Sequence, residues 1–375
     1  MTDSPAPPSF AIIAPGDPAP WFEQRTGGNP RYVFDTAAGR YLVLCFLATA
    51  DDALGSRAVA AAMARPDLFD DVQASFFGIS LDPRDEAQGR LDDRVPGYRF
   101  FHDFDGKVSR LYGALPKDAD PRSGRFTVRR FWVVLDPTLR VMRIAALDDD
   151  PSALLAYVAA LPAPARFAGF DLQAPILVLP DVFEPAFCRT LVDLHERDGG
   201  VESGFMIERD GKTVGVTNPR HKQRRDVVID DPEIAAAARA RIVRRVVPEI
   251  EKAHQFVCTR MERYIVACYA AEDGGHFRAH RDNTTRGTAH RRFAVSVLLS
   301  DDYEGGEVSF PEYGGRGYKP RIGGAVVFSC SLLHAVGKVT DGRRYAFLPF
   351  LYDEAAAKLR EENAQFMERG ADYRA

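Results

Sequence analysis

The chain has 375 residues, of which 46% are hydrophobic and 27% charged. At about 150 residues per domain this length suits two domains, and so much apolar material excludes disorder of the whole chain. The formal charge of −4, from 49 basic and 53 acidic side chains, gives no sign of a polyanion partner, so no nucleic-acid role is expected.

The N-terminus, MTDSPAPPSF, lacks both a basic segment and a long apolar run, so it does not read as a secretory signal. Beyond its Pro-rich first eight residues there is no low-complexity tract. Tyr41 to Leu47, YLVLCFL, reads as a strand buried on both faces. The apolar run around it is far shorter than the roughly 20 residues that span a bilayer, so no membrane role is expected. Ser56 to Ala64 is Ala-rich and helical, Ser75 to Leu81 is a second strand, and Arg130 to Leu135 is a third. Strand and helix signals alternate, the pattern of an α/β layer.

Pro151 to Ala160 looks helical, and LPAPARFAGFDLQAP follows from Leu161 to Pro175. Its prolines and small residues read as a linker. The expected division is a first domain over 1–161, a linker over 162–175 and a second domain over 176–375. Five scattered cysteines, Cys45, Cys188, Cys258, Cys268 and Cys330, form no CxxC pair, which suits a reducing cytoplasm.

The second part opens with helix signals at Glu184 to Glu196 and Asp231 to His254. Between them, Pro219 to Arg225 (PRHKQRR) is a dense basic run. It is read as a solvated loop, with attraction of an acidic peptide or small carboxylate as the alternative. Strand signals then dominate: Glu262 to Ala270, Arg292 to Ser300, Glu307 to Phe310, Ala325 to Phe328 and Arg344 to Tyr352. Many short strands with turn signals predict a sandwich or jelly roll.

Within GGHFRAHRD, Gly274 to Asp282, His280 and Asp282 are two residues apart. On a strand both side chains point to one face. His334 offers a second imidazole, and two imidazoles with one carboxylate make the facial triad of non-haem Fe(II) oxygenases. Ten residues after His334 stands Arg344, whose planar guanidinium suits a carboxylate. EGGEVSFP (Glu304 to Pro311) and PRIGGAVVF (Pro320 to Phe328) lie between.

This order, with the opening segment LPDVFEPAFCRTLVDLHE, resembles the prolyl 4-hydroxylase-like 2-oxoglutarate and Fe(II)-dependent oxygenases. The resemblance implies a double-stranded β-helix (jelly roll) with supporting helices. It implies iron on His280, Asp282 and His334, and the distal carboxylate of 2-oxoglutarate on Arg344. The implied reaction consumes dioxygen, hydroxylates an unactivated C–H bond of a protein side chain or small molecule, and releases succinate and carbon dioxide. Ascorbate as a further cofactor and a homodimer are compatible with it. Related halogenases have a small residue where Asp282 stands, so a carboxylate there points to hydroxylation. The strand FAVSVLLS (Phe293 to Ser300) lacks the tyrosine that several relatives use for the cosubstrate. Tyr264, Tyr269 or Ser296 could compensate. Tyr269 is the preferred candidate, with an aromatic packed in the barrel wall as the competing reading. His276, one residue out of phase with Phe277, is read as a non-ligand, His290 as solvated, Arg343 as facing away from Arg344, and Cys268 and Cys330 as buried thiols.

The first part, from Phe10 to Pro162, resembles thioredoxin-fold peroxiredoxins through GDPAP, YLVLCFL, FFGISLDPRDE, FHDFDGKVSRLYGAL and RRFWVVLDPTLRV. Where that family carries its nucleophilic cysteine, this chain reads ATADDALGSR (Ala48 to Arg57), with Gly55 near the cysteine position. A thiolate is the nucleophile toward peroxide, so its absence implies a redox-inactive domain. Thiol peroxidase activity and a non-catalytic binding role are the competing functions.

Overall fold

The computed structural model describes residues 9–121, 127–148 and 150–368; the Pro-rich first eight residues lie outside the described residues. The chain splits into two compact units, Met1–Gln173 with Pro311–Gly314, and Ala174–Phe310 with Gly315–Ala375.

In the first unit the apolar run becomes strand β1 (Tyr41–Ala48), buried along nearly its whole length. It is flanked by the parallel β2 (Ala74–Ser80) and the antiparallel β4 (Phe131–Leu135). With β3 (Tyr98–His102) beside β2 and β5 (Val141–Ala146) beside β4, the order is β3-β2-β1-β4-β5. That mixed sheet is thioredoxin-like. Helix α1 (Ala53–Met63) starts where the Asp52 carboxylate accepts the Gly55 N–H at 2.8 Å, an N-cap. Its small residues Ala58 and Ala62 are buried in one core with Tyr41, Val43 and Trp132. Leu154, Leu155 and Val158 of α2 (Ser152–Ala159) join that core.

In the second unit, helix α3 (Pro185–Asp198) and two further helices cover one face of a large antiparallel sheet. The helix expected over Asp231 to His254 is two helices, α4 (Pro232–Arg245) and α5 (Val247–His254). Pro248 explains the break: it has no N–H for the carbonyl four residues back, and its ring crowds that carbonyl.

The large sheet carries β7 (Arg225–Val228), β8 (Ile265–Ala270), β10 (Phe293–Leu298), β12 (Ala325–Ser329), β14 (Val339–Phe347) and β15 (Phe350–Tyr352). Its path runs β15-β10-β14-β8-β7, with β12 beside β10. A smaller sheet runs β6 (Lys222–Gln223), β9 (His276–His280), β13 (His334–Val336) and β11 (Val308–Ser309). Two faced antiparallel sheets with helices on the outside make the jelly roll.

Two expected strands are interrupted. Arg263, at φ +63, separates β8 from a short strand at Arg260–Glu262. Leu348 and Pro349 separate β14 from β15, so Arg344 sits inside β14 and not at its start. Alternation along the large sheet sorts its faces. Cys268, Ala270, Val295, Val297, Tyr345 and Phe347 pack in the helix-side core, so Tyr269, Ser296 and Arg344 face the other way.

Candidate metal centre and its cavity

His280, Asp282 and His334 come together as a cluster whose ligand atoms all lie within 4.8 Å of one another. Cross-strand pairing does most of this. His280 on β9 is the register partner of His334 on β13. A bulge between Phe277 and His280 breaks simple alternation, so the Phe277 ring stacks on His280 at 3.5 Å between centroids. His276 stays out of the cluster, with Nδ1 2.7 Å from Gly274 O. Asp282 is not the strand neighbour that the spacing suggests. β9 ends at His280, and Asp282 is fixed in the following turn, where its N–H donates to Cys330 O at 2.9 Å.

Each imidazole points its Nε2 at the carboxylate, His280 to Oδ1 at 3.6 Å and His334 to Oδ2 at 3.4 Å. The other nitrogens face their own backbone, His280 Nδ1 to Arg278 O at 2.7 Å and His334 Nδ1 to Leu332 O at 3.0 Å. A proton on Nδ1 suits those contacts and leaves Nε2 free to ligate. Burial and the neighbouring His334 push His280 down to about 4, which keeps it neutral at pH 7. Burial would raise the Asp282 carboxyl, but the two histidines outweigh it and hold it well below the ordinary range. Two imidazoles and one carboxylate are the donor set that fits a divalent iron.

Both sheets line the adjoining cavity, with Phe277, Val308 and Val336 from one and Ser296, Phe328 and Arg344 from the other. Arg344 is 2% exposed and donates through Nη2 to Ser296 Oγ at 3.0 Å. Tyr269 also lines the cavity, and Tyr264 packs against the helix-side core instead. Arg343 points outward, where it pairs with Glu272. Cys268 and Cys330 are buried free thiols. Gly306, at φ +69, is required here: a Cβ would approach the Arg344 Cδ to 3.0 Å.

Two polar clusters escape the sequence reading. The basic run is solvated only in part: Pro219, Arg220 and Arg225 are exposed, but two of its cations are not. Lys222 and Arg224 are 3% and 4% exposed and turn inward toward Ser203 and Asp226. The signal is Lys222, Arg224 and Asp226 at every second position, an inward-facing strand pattern. His290 is not solvated either. It is buried, with Nε2 2.9 Å from Glu262 Oε2. Arg291 donates to Glu262 Oε1 at 2.8 Å and reaches Asp282 O at 3.4 Å, so this network braces the metal turn.

Among the described residues the first unit has no equivalent centre. Cys45 is fully buried in β1, and burial drives its thiol pKa far up. Near the expected nucleophile position, a Cβ on Gly55 would lie 1.9 Å from Thr49 O. Arg130 is held by Asp52 at 2.7 Å and 3.0 Å.

Residues 264–352 match the model of the 2OG-Fe(II) oxygenase superfamily, and residues 15–143 match the AhpC/TSA family. A PKHD-type hydroxylase of Azoarcus sp. strain BH72 is 36% identical over 89 residues, 22% of this chain and 39% of that relative. A PKHD-type hydroxylase of Caulobacter sp. strain K31 is 31% identical over 188 residues, 46% of this chain and 75% of that relative. The chain thus spans about two fifths of the first relative and three quarters of the second. Among solved structures, a prolyl hydroxylase of Trichoplax adhaerens, in complex with a peptide fragment of a hypoxia inducible factor, aligns at TM-score 0.38 and 18% identity. The alignment covers 50% of this chain and 86% of that one.

Proposed function

The chain belongs to the 2OG-Fe(II) oxygenase superfamily, and we propose that it is a prolyl-hydroxylase-like, Fe(II)- and 2-oxoglutarate-dependent dioxygenase that hydroxylates an unactivated C–H bond. The observation that carries this is the convergence of His280, Asp282 and His334 beside a cavity that also holds Arg344. His280 Nε2, His334 Nε2 and one Asp282 oxygen would hold the iron. Bound Fe(II) and 2-oxoglutarate supply the oxidising chemistry, with succinate and carbon dioxide as coproducts.

The protein's own share is binding, orientation and exclusion of water. Arg344 offers a fork to the distal carboxylate of 2-oxoglutarate, and Ser296 fixes the angle of that fork. The Tyr269 ring flanks the same guanidinium, 5.0 Å from its central carbon. Val308, Phe328, Val336 and Phe350 give the cavity apolar walls that hold a reacting C–H bond away from bulk water.

In this reading residues 176–375 carry the catalysis, 162–175 join the domains, and 1–161 are a redox-inactive domain available for partner binding or homodimer formation. All five cysteines are buried and unpaired, which suits neither a peroxide-reactive thiol nor an oxidising compartment. Among the described residues no helix is long and apolar enough to cross a membrane. We place the enzyme in the cytoplasm, with ascorbate as an accessory reductant.

The test is optical. Under anaerobic conditions, wild-type protein with Fe(II) and 2-oxoglutarate develops a weak visible charge-transfer band, and His280→Ala loses it. No band in the wild type would overturn the reading.

A further inference from the structure

Arg224 occupies the cavity without a part in holding iron or 2-oxoglutarate. Arg225 pairs with Cys268, and Tyr269 pairs with Arg344, so Arg224, Tyr269 and Arg344 stand in a row across the large sheet. All three line the same cavity as His280, Asp282 and His334.

The Tyr269 ring is the middle member of that row. Its centroid is 5.0 Å from the Arg344 guanidinium carbon and 5.6 Å from that of Arg224. Neighbouring strands are about 4.8 Å apart, so the two arginine backbones are separated by about 10 Å. One arm of each fork also turns away from the other arginine. Arg344 reaches toward Ser296 on the β10 side, and Arg224 reaches toward Ser203 and Asp226 on the β7 side. Forks parted by a strand and an aromatic ring are placed for two different anions.

Arg224 is also held ready. Its Nη1 donates to the Tyr269 hydroxyl at 3.2 Å, and its Nη2 donates to Ser203 Oγ at 3.1 Å and Asp226 Oδ2 at 2.6 Å. Asp226 further accepts from Ser203 at 2.6 Å and lies 3.5 Å from Arg263. Lys222 Nζ donates to Ser203 Oγ at 2.7 Å, which fixes the serine that Arg224 also reaches. The Arg224 Nε is buried without a protein acceptor. An unmatched donor on a buried cation is unfavourable until a ligand completes it.

We propose that Arg224 binds a carboxylate of the molecule that is hydroxylated, so that the prime substrate is an acid. The proposal rests on the dioxygenase reading, which assigns Arg344 to 2-oxoglutarate. Two sources of the carboxylate are open, a free amino-acid carboxyl group or an acidic residue next to the target in a peptide.

The test uses the full chain loaded with Mn(II), which is redox-silent, and saturating 2-oxoglutarate. Calorimetry compares L-proline with L-prolinamide, and acetyl-Pro-Asp-amide with acetyl-Pro-Asn-amide. In the wild type, the acid of one pair binds about tenfold or more tightly than its neutral partner, and that pair identifies the source. Arg224→Gln reduces this preference to under about threefold, Arg224→Lys retains part of it, and Arg344→Gln weakens 2-oxoglutarate itself by about tenfold or more. The wild-type comparison needs no variant to fold. Equal affinities in both pairs, or no binding by any probe, overturn the proposal. So does an Arg224→Gln protein that loses 2-oxoglutarate as completely as Arg344→Gln. Failure of the wild type to take up 2-oxoglutarate with the metal would instead remove the dioxygenase reading, and the same probes titrated without it would still test Arg224.

Discussion

Arg344 donates through Nη2 to Ser296 Oγ at 3.0 Å, an arginine of β14 braced by a serine of β10. The brace fixes one arm of the guanidinium, and its other terminal nitrogen, Nη1, is buried without a protein acceptor. A carboxylate arriving there completes the pair. Arg344→Gln should therefore raise the 2-oxoglutarate KM by about 10- to 100-fold, the range for one lost charge-assisted hydrogen bond. Ser296→Ala, which keeps the charge and loses only the brace, should raise it by about threefold. Steady-state succinate release checks both, and an unchanged KM in Arg344→Gln would remove the clamp from this residue.

Metal affinity should respond to residues outside the cluster as well. Arg291 connects the buried Glu262 to the carbonyl of Asp282. Removing it loosens the turn that presents Asp282 and leaves all three ligand side chains in place. Arg291→Ala is expected to weaken Mn(II) binding by about tenfold, and Asp282→Ala by more. Equilibrium dialysis measures both. Equal affinity in Arg291→Ala and wild type would make the network a support of the fold alone.

The sequence carries this centre in uneven shares. β1 is legible because a run apolar on both faces has no stable place except a covered sheet. The meeting of His280, Asp282 and His334 near Arg344 is legible because metal and carboxylate chemistry restrict the residue types and their order resembles that of the oxygenases, although Asp282 comes to the cluster from the turn after β9 and not from the strand. Lys222 and Arg224 are not, since alternating charge on a strand looks the same whether that face meets water or Asp226. Their burial depends on partners supplied from Ser203 and β8, far along the chain. His290 is hidden for the same reason. It sits in a polar loop, and its acceptor is Glu262 of another segment. The β9 bulge is invisible too, because nothing in HFRAH marks where alternation fails.

Glu262 makes the second unit acid-sensitive. Burial would raise its carboxyl, but hydrogen bonds from His290 and Arg291 and the charge of Arg291 outweigh that and hold it down to about 2, from an ordinary value of 4.5. A carboxyl depressed by folding stabilises above its unfolded value and loses that contribution as pH falls toward its folded value. The contribution is about 3 kcal/mol, present at pH 7 and lost between about pH 4.5 and pH 2. Glu262→Gln should be less stable than wild type at neutral pH, with the gap closing over that window. Urea unfolding of the full chain at a series of pH values measures it, and a gap independent of pH would show that Glu262 does not titrate in this way.

Gly55 decides whether the first unit could regain thiol chemistry by one substitution. An Ala-like residue in a helix normally stabilises relative to glycine by up to about 1 kcal/mol. Here the added Cβ would lie 1.9 Å from Thr49 O and 2.9 Å from Arg130 Nη2. The first of those contacts is with backbone, which has no rotamer to yield. Thr49 O also accepts from Arg130 at 3.2 Å, so moving it disturbs the Arg130 and Asp52 pair that caps α1. The overlap outweighs the helix preference. Gly55→Ala and Gly55→Cys should each lose about 2 kcal/mol or more, read from urea unfolding. Gly55→Cys should also leave peroxide consumption at the background rate, because a thiol forced into that space collides with Arg130, the nearby cation that could otherwise favour its thiolate. A peroxidase-active Gly55→Cys protein would show instead that the loop opens to make room, and that only the sulfur is missing.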